Sequence, residues 1–411
     1  MMVAPKLRFK ADDGSDFSGW EEKTLGELCA PLTYGMNAAA TKFDGENRYI
    51  RITDIDDETH ALLPNDIVSP SGELDDKYLV KKGDILLART GASTGKSFLY
   101  HPKDGKLFYA GFLIKAHVLS SSDDYFIYSQ TLTDRYWKWV KTASMRSGQP
   151  GINANEYASY SFAVPSLPEQ RKIADFLSAV DAVIAAQQAE VDAWEQRKKG
   201  VMQKLFSQEV RFKADDGSDF PDWEEKTLGD LGEFIKGAPL SKADIAPEGN
   251  PMILYGELYT TYGEVAYEIA RSTNRNVDDK YRSKIGDVLI PTSGETPEEI
   301  STATCVMKEG VILAGDLYIY RTVDEIDGRI MSYLLNHQAN KAISCIAQGK
   351  SVVHVQAKEL RNVTVVFPLE MGEQRKIADC LSSMDEVIRK AKDELAKWQE
   401  LKKGLLQQMF V

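Results

Sequence analysis

One polar stretch, residues 91–97, has the composition of a phosphate-binding loop. That motif requires a glycine five residues before Gly95, and position 90 is Thr. Residues 292–297 occupy the corresponding place in the second half of the chain and contain no lysine. The spacing therefore argues against nucleotide binding, and a polar loop after a strand is the better interpretation. Ser, Thr and Arg in such a loop can reach the phosphate oxygens and base edges of DNA.

A second stretch, residues 221–226, contains fragments of a nuclease-type acidic motif. Its acids are adjacent in sequence, and the first half of the chain has Ser18 and Gly19 in place of its first two residues. We therefore expect its carboxylates to form a solvated surface. Trp20 and Trp223 are expected to anchor the start of each domain.

No other set of residues has catalytic spacing. The histidines show neither metal-ligand nor nucleophile–base spacing; they are His60, His101, His117, His337 and His354. The Asn-Pro-Pro-aromatic motif of amino-group methyltransferases is absent, and no glycine-rich cofactor loop follows a strand. The sequence therefore predicts no catalytic residue, no metal site and no cofactor on this chain.

The composition is that of a soluble globular protein, with 43% hydrophobic and 27% charged residues among 411. The four cysteines lie far apart, which is typical of reduced cytosolic thiols. No apolar run approaches the ~20 residues of a membrane span, and the first ten residues lack the apolar core of a secretion signal. The expected location is the cytoplasm.

The net charge of −12 argues against a nucleic-acid ligand, because DNA-binding proteins usually carry a basic surface. Its distribution is uneven, however. Residues 86–150 hold nine Lys or Arg against four Asp or Glu, and residues 329–361 hold five against one. An acidic chain with such local basic surfaces can bind DNA if partners supply further positive charge.

A duplication is the strongest pattern. Residues 7–28 and 210–231 match at 18 of 22 positions, and residues 169–206 and 373–410 match at 19 of 38. The offset is 203 residues in the first pair and 204 in the second. This period far exceeds the ~20–50 residues of a solenoid repeat. It indicates two whole domains in which similar flanking segments enclose dissimilar inserts.

The second pair of repeated segments has helical periodicity. Apolar residues recur every three or four positions over about four heptads, which favours a coiled-coil pair over a helix packed on its own domain core. We expect this stripe to hold Leu177, Val180, Ile184, Val191, Trp194, Leu381, Met384, Ile388, Leu395 and Trp398. Thirty-eight helical residues span roughly 57 Å. If the helices pair antiparallel, they form a rod with a globular domain at each end and pseudo-two-fold symmetry.

The inserts are strand-rich. Residues 82–89 and 285–290 each read as a turn that leads into a short buried strand, and residues 109–119 read as another strand. Helical patterns follow at residues 125–141 and 329–346. Each domain is therefore expected to be α+β.

Two polar loops in each domain are the candidates for DNA contact, since glycine-containing loops with Arg, Gln, Ser and Thr offer hydrogen bonds to base edges. The alternative is that they are plain connecting loops. The candidate residues in the first half are Arg89, Thr90, Ser93, Thr94, Lys96, Arg146, Ser147 and Gln149. Those in the second half are Thr292, Ser293, Thr296, Lys350, Ser351 and His354.

The chain resembles the specificity subunit of type I restriction-modification systems. The resemblance covers nearly all residues and depends on four features: the duplicated segment that ends Trp-Glu-Glu-Lys-Thr-Leu-Gly, the paired Glu-Gln-Arg-Lys-Ile-Ala stretches at 169–174 and 373–378, residues 236–263, and the Gly-Asp-Ile/Val-Leu turn of each half. It implies a first target-recognition domain over residues 1–165, a central helix over 166–208, a second recognition domain over 209–368 and a C-terminal helix over 369–411.

The resemblance also implies how such a chain works. Each recognition domain would read one half of a split double-stranded DNA target in the major groove. The helices would set the gap between half-sites and dock two methyltransferase subunits, to which restriction (motor and nuclease) subunits would be added. S-adenosylmethionine, ATP and magnesium would belong to those partners. Because the loops of the two halves differ in charge, the two half-sites are expected to differ in sequence.

Two alternatives remain open from the sequence. One is the specificity chain of a related system whose partner fuses methylase and nuclease. The other is a coiled-coil adaptor whose end domains bind protein, which the acidic net charge favours to some extent.

Overall fold

The computed structural model describes residues 5–145, 148–349 and 352–410. Its contacts divide the chain into two compact units. Unit 1 comprises Met1–Ala189 and Lys392–Val411, and unit 2 comprises Glu190–Ala391. Each unit therefore contains one globular domain together with parts of two long helices.

Unit 1 mixes short strands and short helices. Its strands are β1 (Glu21–Thr24), β2 (Thr33–Tyr34), β3 (Ala40–Lys42), β4 (Arg48–Ile50), β5 (Val68–Pro70), β6 (Asp84–Ala88), β7 (Ser97–Leu99), β8 (Leu107–Tyr109), β9 (Leu113–His117) and β10 (Ser161–Val164). Its short helices are α1 (Leu25–Leu28), α2 (Asp124–Gln130), α3 (Asp134–Ala143) and α4 (Ala154–Ala158). The long helix α5 (Leu167–Phe206) follows.

The main sheet of unit 1 has the order β2-β9-β6-β7, with antiparallel neighbours. Its central strand β6 (Asp-Ile-Leu-Leu-Ala) is buried along its whole length, as expected of a continuous apolar run inside a sheet. Gly83 precedes it with φ +88°, a turn conformation that glycine adopts without strain. The pair β1–β10 is also antiparallel, and β4 pairs with β8 in parallel.

Unit 2 also mixes short strands and short helices. Its strands are β11 (Glu224–Thr227), β12 (Gly232–Lys236), β13 (Asn250–Leu254), β14 (Val265–Ala266), β15 (Arg271–Thr273), β16 (Asp287–Pro291), β17 (Ser293–Gly294), β18 (Thr304–Val306), β19 (Ile312–Ala314), β20 (Leu317–Thr322), β21 (Val353–His354) and β22 (Thr364–Phe367). Its helices are α6 (Leu228–Leu231), α7 (Glu257–Thr260), α8 (Pro297–Ile300), α9 (Gly328–His337), α10 (Asn340–Ile346) and α11 (Ala357–Leu360). The chain ends with the long helix α12 (Met371–Met409).

The main sheet of unit 2 has the order β12-β20-β16-β18-β14, and a second sheet has the order β15-β13-β19. The pair β11–β22 is antiparallel, with the register Glu224↔Phe367, as β1–β10 is in unit 1 with Glu21↔Val164. The expected α+β class, with two similar domains and two long helices, is confirmed.

The long helices contribute to the cores of both units. In unit 1, the beginning of α5 and the end of α12 pack on the same core through Leu177 and Leu406, together with Phe410, which follows α12. In unit 2, the end of α5 and the beginning of α12 do so through Leu205 and Leu381. The sequence left open whether these helices form a coiled-coil pair or pack on a domain core. In the structure they do both, because they pack on each other and also on the core of each unit.

Most residues of the predicted stripe are inaccessible to solvent. Ile184, Trp194 and Trp398 are half-buried, and the buried members are Leu177, Val180, Val191, Leu381, Met384, Ile388 and Leu395. Helix α5 ends at Phe206, and Gln208 then takes φ +59°, the left-handed conformation that commonly terminates a helix.

Three predicted elements were too long. Residues 125–141 form two helices, because the side chain of Thr133 caps a new helix by accepting from the Tyr136 amide. Residues 329–346 are likewise divided between α9 and α10. The predicted strand over residues 109–119 is interrupted by a turn at Gly111 and Phe112, which separates β8 from β9.

Candidate DNA interface

The structure brings together the two candidate loops of unit 1. The hairpin between β6 and β7 carries Arg89 and Thr90, and the loop before α4 runs antiparallel to it through the bridge between Thr90 and Gly151. The Gly91 amide donates to the Pro150 carbonyl (3.0 Å). These backbone bonds fix one loop against the other, so their side chains belong to a single surface.

Unit 2 pairs the corresponding loops in the same way. Ser293 and Gly294 form the short strand β17, which pairs with Val353 and His354 of β21. The Thr292 carbonyl accepts from the Val355 amide (3.2 Å), as the Arg89 carbonyl does from the Ile152 amide (2.9 Å) in unit 1. Positions 89 and 292, which differ in number by the repeat offset, are therefore structurally equivalent.

Arg89 is half-buried at the edge of this surface in unit 1. Its guanidinium carbon lies 4.8 Å from the centroid of the Tyr34 ring, a cation–π arrangement worth about 0.5–1 kcal/mol at an exposed site. The Tyr34 hydroxyl accepts from the Ala154 amide (3.1 Å), which fixes the ring. Tyr34 therefore holds Arg89 in one orientation.

The remaining candidates in this part of unit 1 divide into two groups. Thr90 and Ser93 are half-buried, and Gln149 is exposed beside Gly91. Thr94 and Lys96, in contrast, point inward.

Lys96 and Thr94 make contacts inside the domain. The Lys96 side chain is 6% exposed, and its Nζ donates to the Ile55 carbonyl (2.7 Å) and to Asp57 (2.6 Å). The Thr94 hydroxyl donates to the Gly91 carbonyl (2.7 Å). Side chains that contact DNA must face solvent, and these two face the domain interior. The prediction that Thr94 and Lys96 contact DNA is therefore corrected.

The candidates of unit 2 are less accessible. Thr292 and Ser293 are 9% and 5% exposed, and the Ser293 hydroxyl donates to Asp316 (3.2 Å). Thr296 is exposed and caps α8 by accepting from the Glu299 amide, and His354 is exposed at the edge of β21. This surface carries hydroxyl and carboxylate groups where unit 1 carries a guanidinium.

Four candidates lie outside the described residues, namely Arg146, Ser147, Lys350 and Ser351.

Sequence reasoning missed three residues of these surfaces. Tyr34 comes from the edge strand β2, Phe112 from the turn between β8 and β9, and Asp316 from the turn between β19 and β20. Phe112 is 63% exposed, which is unusual for so large an apolar side chain. All three are far from the candidate loops in sequence, and strand pairing brings them next to those loops. A signal was nevertheless present, because a glycine precedes both turn residues at equivalent places in the repeat.

The repeated N-terminal segment is clasped to the start of the long helix. Glu169 is fully buried, and its carboxylate accepts from Arg8 Nε (2.9 Å) and Nη2 (2.7 Å) and from Trp20 Nε1 (3.2 Å). This hydrogen bond to the carboxylate raises the pKa of the Arg8 guanidinium. Lys172 of α5 also donates to the Lys10 carbonyl (2.8 Å), so the N-terminal segment is held on α5 at a second point.

Unit 2 contains the same clasp. Glu373 is fully buried and accepts from Arg211 Nε (3.0 Å) and Nη2 (2.8 Å) and from Trp223 Nε1 (3.2 Å). The tryptophans thus anchor the start of each domain as expected. Glu224, in the acidic stretch considered above, is an exposed residue of β11.

Charged groups also join the long helices within each unit. In unit 1, Lys402 pairs with Asp181 (2.6 Å), which also accepts from the Tyr125 hydroxyl. In unit 2, Lys198 pairs with Asp385, whose carboxylate accepts from Tyr333 (2.5 Å). The two pairs occupy equivalent places in the repeat, because Asp385 lies 204 residues after Asp181 and Lys402 lies 204 residues after Lys198.

Unit 2 has a further buried carboxylate beside this pair. Glu264 accepts from Lys198 (2.8 Å) and contacts His337 Nε2 (2.9 Å). Burial alone would raise the pKa of Glu264, but the hydrogen bond with His337 and the charge of Lys198 outweigh it and lower that pKa to about 2. This cluster holds α5, α9 and α12 together inside unit 2.

Metal chemistry was not expected of this chain. Within residues 5–145, 148–349 and 352–410, no group of three or more His, Cys, Asp or Glu side chains could hold a metal ion. Burial raises the pKa of the Cys29 thiol to about 12, so it is a packing group. None of the described helices is both long and apolar enough to cross a membrane.

Two domains of one design that present different side chains at equivalent loops form the architecture of a two-part recognition protein. The model of the type I restriction modification DNA specificity domain matches residues 18–193 and again residues 221–397. These two matches cover most of the 411 residues. The chain therefore belongs to the family of type I restriction-modification DNA specificity proteins, and it carries the specificity domain twice.

Relatives of known class agree with this assignment. The type I restriction enzyme MjaVIII specificity subunit of Methanocaldococcus jannaschii is 23% identical over 343 residues, which are 78% of this chain and 77% of that protein. The putative type I restriction enzyme MjaX specificity subunit of the same organism is 25% identical over 410 residues, covering 94% and 92%. Both are similar over most of their length.

The fold has a counterpart among solved structures. The S subunit of a type I restriction-modification system from M. genitalium aligns with a TM-score of 0.65 and 17% identity. The alignment covers 100% of this chain and 99% of that one. At this identity the similarity shows the fold, and it extends over the entire chain.

Proposed function

We propose that this chain reads a bipartite, asymmetric DNA target, with one half-site for each unit, and positions methyltransferase and restriction subunits on it. The observation that carries the proposal is the loop pair found in both units. Each pair forms one fixed surface, yet Arg89 of one surface is replaced by Thr292 in the other. Surfaces that differ in this way favour different base sequences.

Methyl transfer and cleavage belong to the partners in this proposal, together with S-adenosylmethionine, ATP and magnesium. The chain itself recognises the DNA target, so it acts in the compartment that contains the DNA. The identical clasps around Glu169 and Glu373 are the surfaces that we assign to the methyltransferase, because two copies of one partner need two equal docking places.

Partners also resolve the conflict with the net charge. An isolated chain of net charge −12 is repelled overall by the DNA backbone, although phosphate contacts supply a large share of the affinity of DNA-binding proteins. We therefore expect DNA affinity to rise steeply when the methyltransferase subunit is added, with a steeper dependence on salt.

The experiment is a fluorescence-anisotropy titration of duplex DNA with the full chain, alone and with its methyltransferase subunit, between 50 and 200 mM salt, roughly the range over which phosphate contacts change affinity most. We expect weak binding by the chain alone and tight, salt-dependent binding by the complex. Failure to bind DNA under either condition would favour the protein-binding adaptor. Co-purification of one fused methylase–nuclease chain would favour the related system.

A further inference from the structure

The turns that carry Phe112 and Asp316 occupy equivalent places in the two units. In unit 1 the Arg89 amide donates to the Phe112 carbonyl (3.1 Å). In unit 2 the Thr292 amide donates to the Asp316 carbonyl (2.8 Å). Each unit therefore places one exposed turn residue directly beside the first residue of its candidate loop, and that turn residue is phenylalanine in one unit and aspartate in the other.

The surface of unit 1 offers hydrogen-bond donors. Arg89 lies on Tyr34, and one of its guanidinium nitrogens makes a long contact to the Gly111 carbonyl (3.4 Å). Among the described residues, no carboxylate is within 4 Å of this guanidinium. Its other N–H groups are therefore available, and Arg has no acceptor with which to bind an amino group. Phe112 provides an apolar side chain next to it.

The surface of unit 2 offers acceptors at the same place. Asp316 is exposed, and its carboxylate receives one hydrogen bond, from Ser293 (3.2 Å). In the part of the chain that the structure describes, no Lys, Arg or His pairs with Asp316. An ionised carboxylate accepts hydrogen bonds only. It therefore selects a base edge that presents an N–H group.

We propose that Arg89 selects guanine in one half-site and that Asp316 selects cytosine in the other. This inference rests on the proposed function. In the major groove, guanine presents O6 and N7 to a planar guanidinium, and cytosine presents its N4 amino group to a carboxylate. The two halves of the target then differ at these positions because the donor of unit 1 is replaced by an acceptor in unit 2.

The test replaces the chromosomal gene with single variants and maps genomic DNA methylation by long-read sequencing. Arg89→Ala and Arg89→Lys remove the fork of donors, and the lysine variant keeps the charge. Asp316→Asn adds donors to the acceptor. Lys103→Ala is the matched control, because Lys103 is an exposed basic residue near the opposite end of β6 from Arg89. At that end of β6 the Tyr100 amide donates to the Asp84 carbonyl (3.1 Å).

We expect the wild-type motif to contain a G·C pair in each half. Both Arg89 variants should lower the preference for guanine at one position of one half-site by roughly tenfold to a hundredfold. Asp316→Asn should relax one G·C position of the other half-site, and Lys103→Ala should leave the motif unchanged.

Three results would overturn the inference while leaving the proposed function intact. They are a motif that both Arg89 variants leave unchanged, relaxation at an A·T pair, and relaxation by Arg89 and Asp316 variants in the same half-site. A uniform loss of methylation with both Arg89 variants would also count against it, since base selection predicts a change at one position. A wild-type gene without any methylated motif would instead contradict the proposed function, and the inference with it.

Discussion

Replacing Glu169 with glutamine isolates the clasp between the N-terminal segment and α5. The substitution keeps the shape of the side chain and removes its charge. The amide accepts through one oxygen, so it cannot reproduce the two bonds from Arg8 together with the bond from Trp20. The expected result is an N-terminal segment that opens from α5 more often while the domain core stays folded.

The magnitude follows from the burial of the pair. Removing one member of a buried ion pair typically costs about 3–5 kcal/mol. The Arg8 side chain is 25% exposed, whereas that of Glu169 is fully buried, so water can partly solvate the guanidinium that is left. We therefore expect about 2 kcal/mol, which corresponds to a roughly 30-fold increase in local opening.

Hydrogen exchange at the Leu7 amide measures this opening, because that amide donates to the Gln408 carbonyl (3.0 Å) only while the segment is docked. Exchange at Leu7 should accelerate roughly 30-fold, and exchange in β6 should not change. Glu373→Gln should leave Leu7 unaffected, and Glu21→Gln, at a side chain that is 72% exposed, should have little effect. Exchange at Leu7 that stays within about twofold of wild type would refute the reasoning.

Three further predictions concern stability. Above pH ~4.5 the ionised Glu264 should stabilise unit 2 by about 3 kcal/mol, and this contribution should be lost as the pH falls toward 2, because the pKa of Glu264 is lowered from 4.5 to about 2 in the folded chain. The raised pKa of the neighbouring Asp385 acts in the opposite direction and offsets part of this gain. Urea unfolding at several pH values should therefore show a steeper loss of stability toward low pH in wild type than in Glu264→Gln, and equal slopes would contradict the prediction. Phe410→Ala should lower the free energy of unfolding of unit 1 by about 3 kcal/mol, because Phe410 is 7% exposed and packs on Phe126; a change below ~1 kcal/mol by denaturant titration would contradict the packing. Gly95→Ala should destabilise the loop between β6 and β7 by about 1–3 kcal/mol. Position 95 has φ +96°, and the added Cβ would lie 2.7 Å from Val140. Faster proteolysis between residues 89 and 95 would show this effect.

The sequence could predict the two domains and the long helices because each depends on a regular pattern. The duplication indicates two copies of one fold, and the apolar period indicates the helices. Element boundaries depend instead on single side chains. Thr133 ends one helical pattern and begins another, because its hydroxyl satisfies an amide at the start of α3.

The candidate surface was predictable only in part. The loops around Arg89 and Gln149 were found because both are polar and contain glycine; the first follows a recognisable strand and the second a recognisable helical pattern. The inward direction of the Lys96 side chain could not be predicted, because its ion-pair partner Asp57 lies 39 residues earlier in the sequence. Tyr34 was missed for a similar reason, because its contact with Arg89 is made across the sheet.

The buried glutamates are the clearest case in which the sequence misleads. A glutamate near the start of a helix is normally a surface residue that interacts with the helix dipole. Glu169 is instead fully buried, because Arg8 lies 161 residues away in sequence and reaches it only in the folded unit. Such a partner is invisible to local pattern analysis.

We propose that this chain directs modification to a two-part DNA sequence. Methylation-aware sequencing of the host genome, with the gene intact and with it deleted, tests this claim most directly. We predict one methylated motif that consists of two different halves separated by unspecified bases, present with the gene and absent without it. An unchanged methylation pattern after deletion, or a gene-dependent motif that is continuous, would contradict the account.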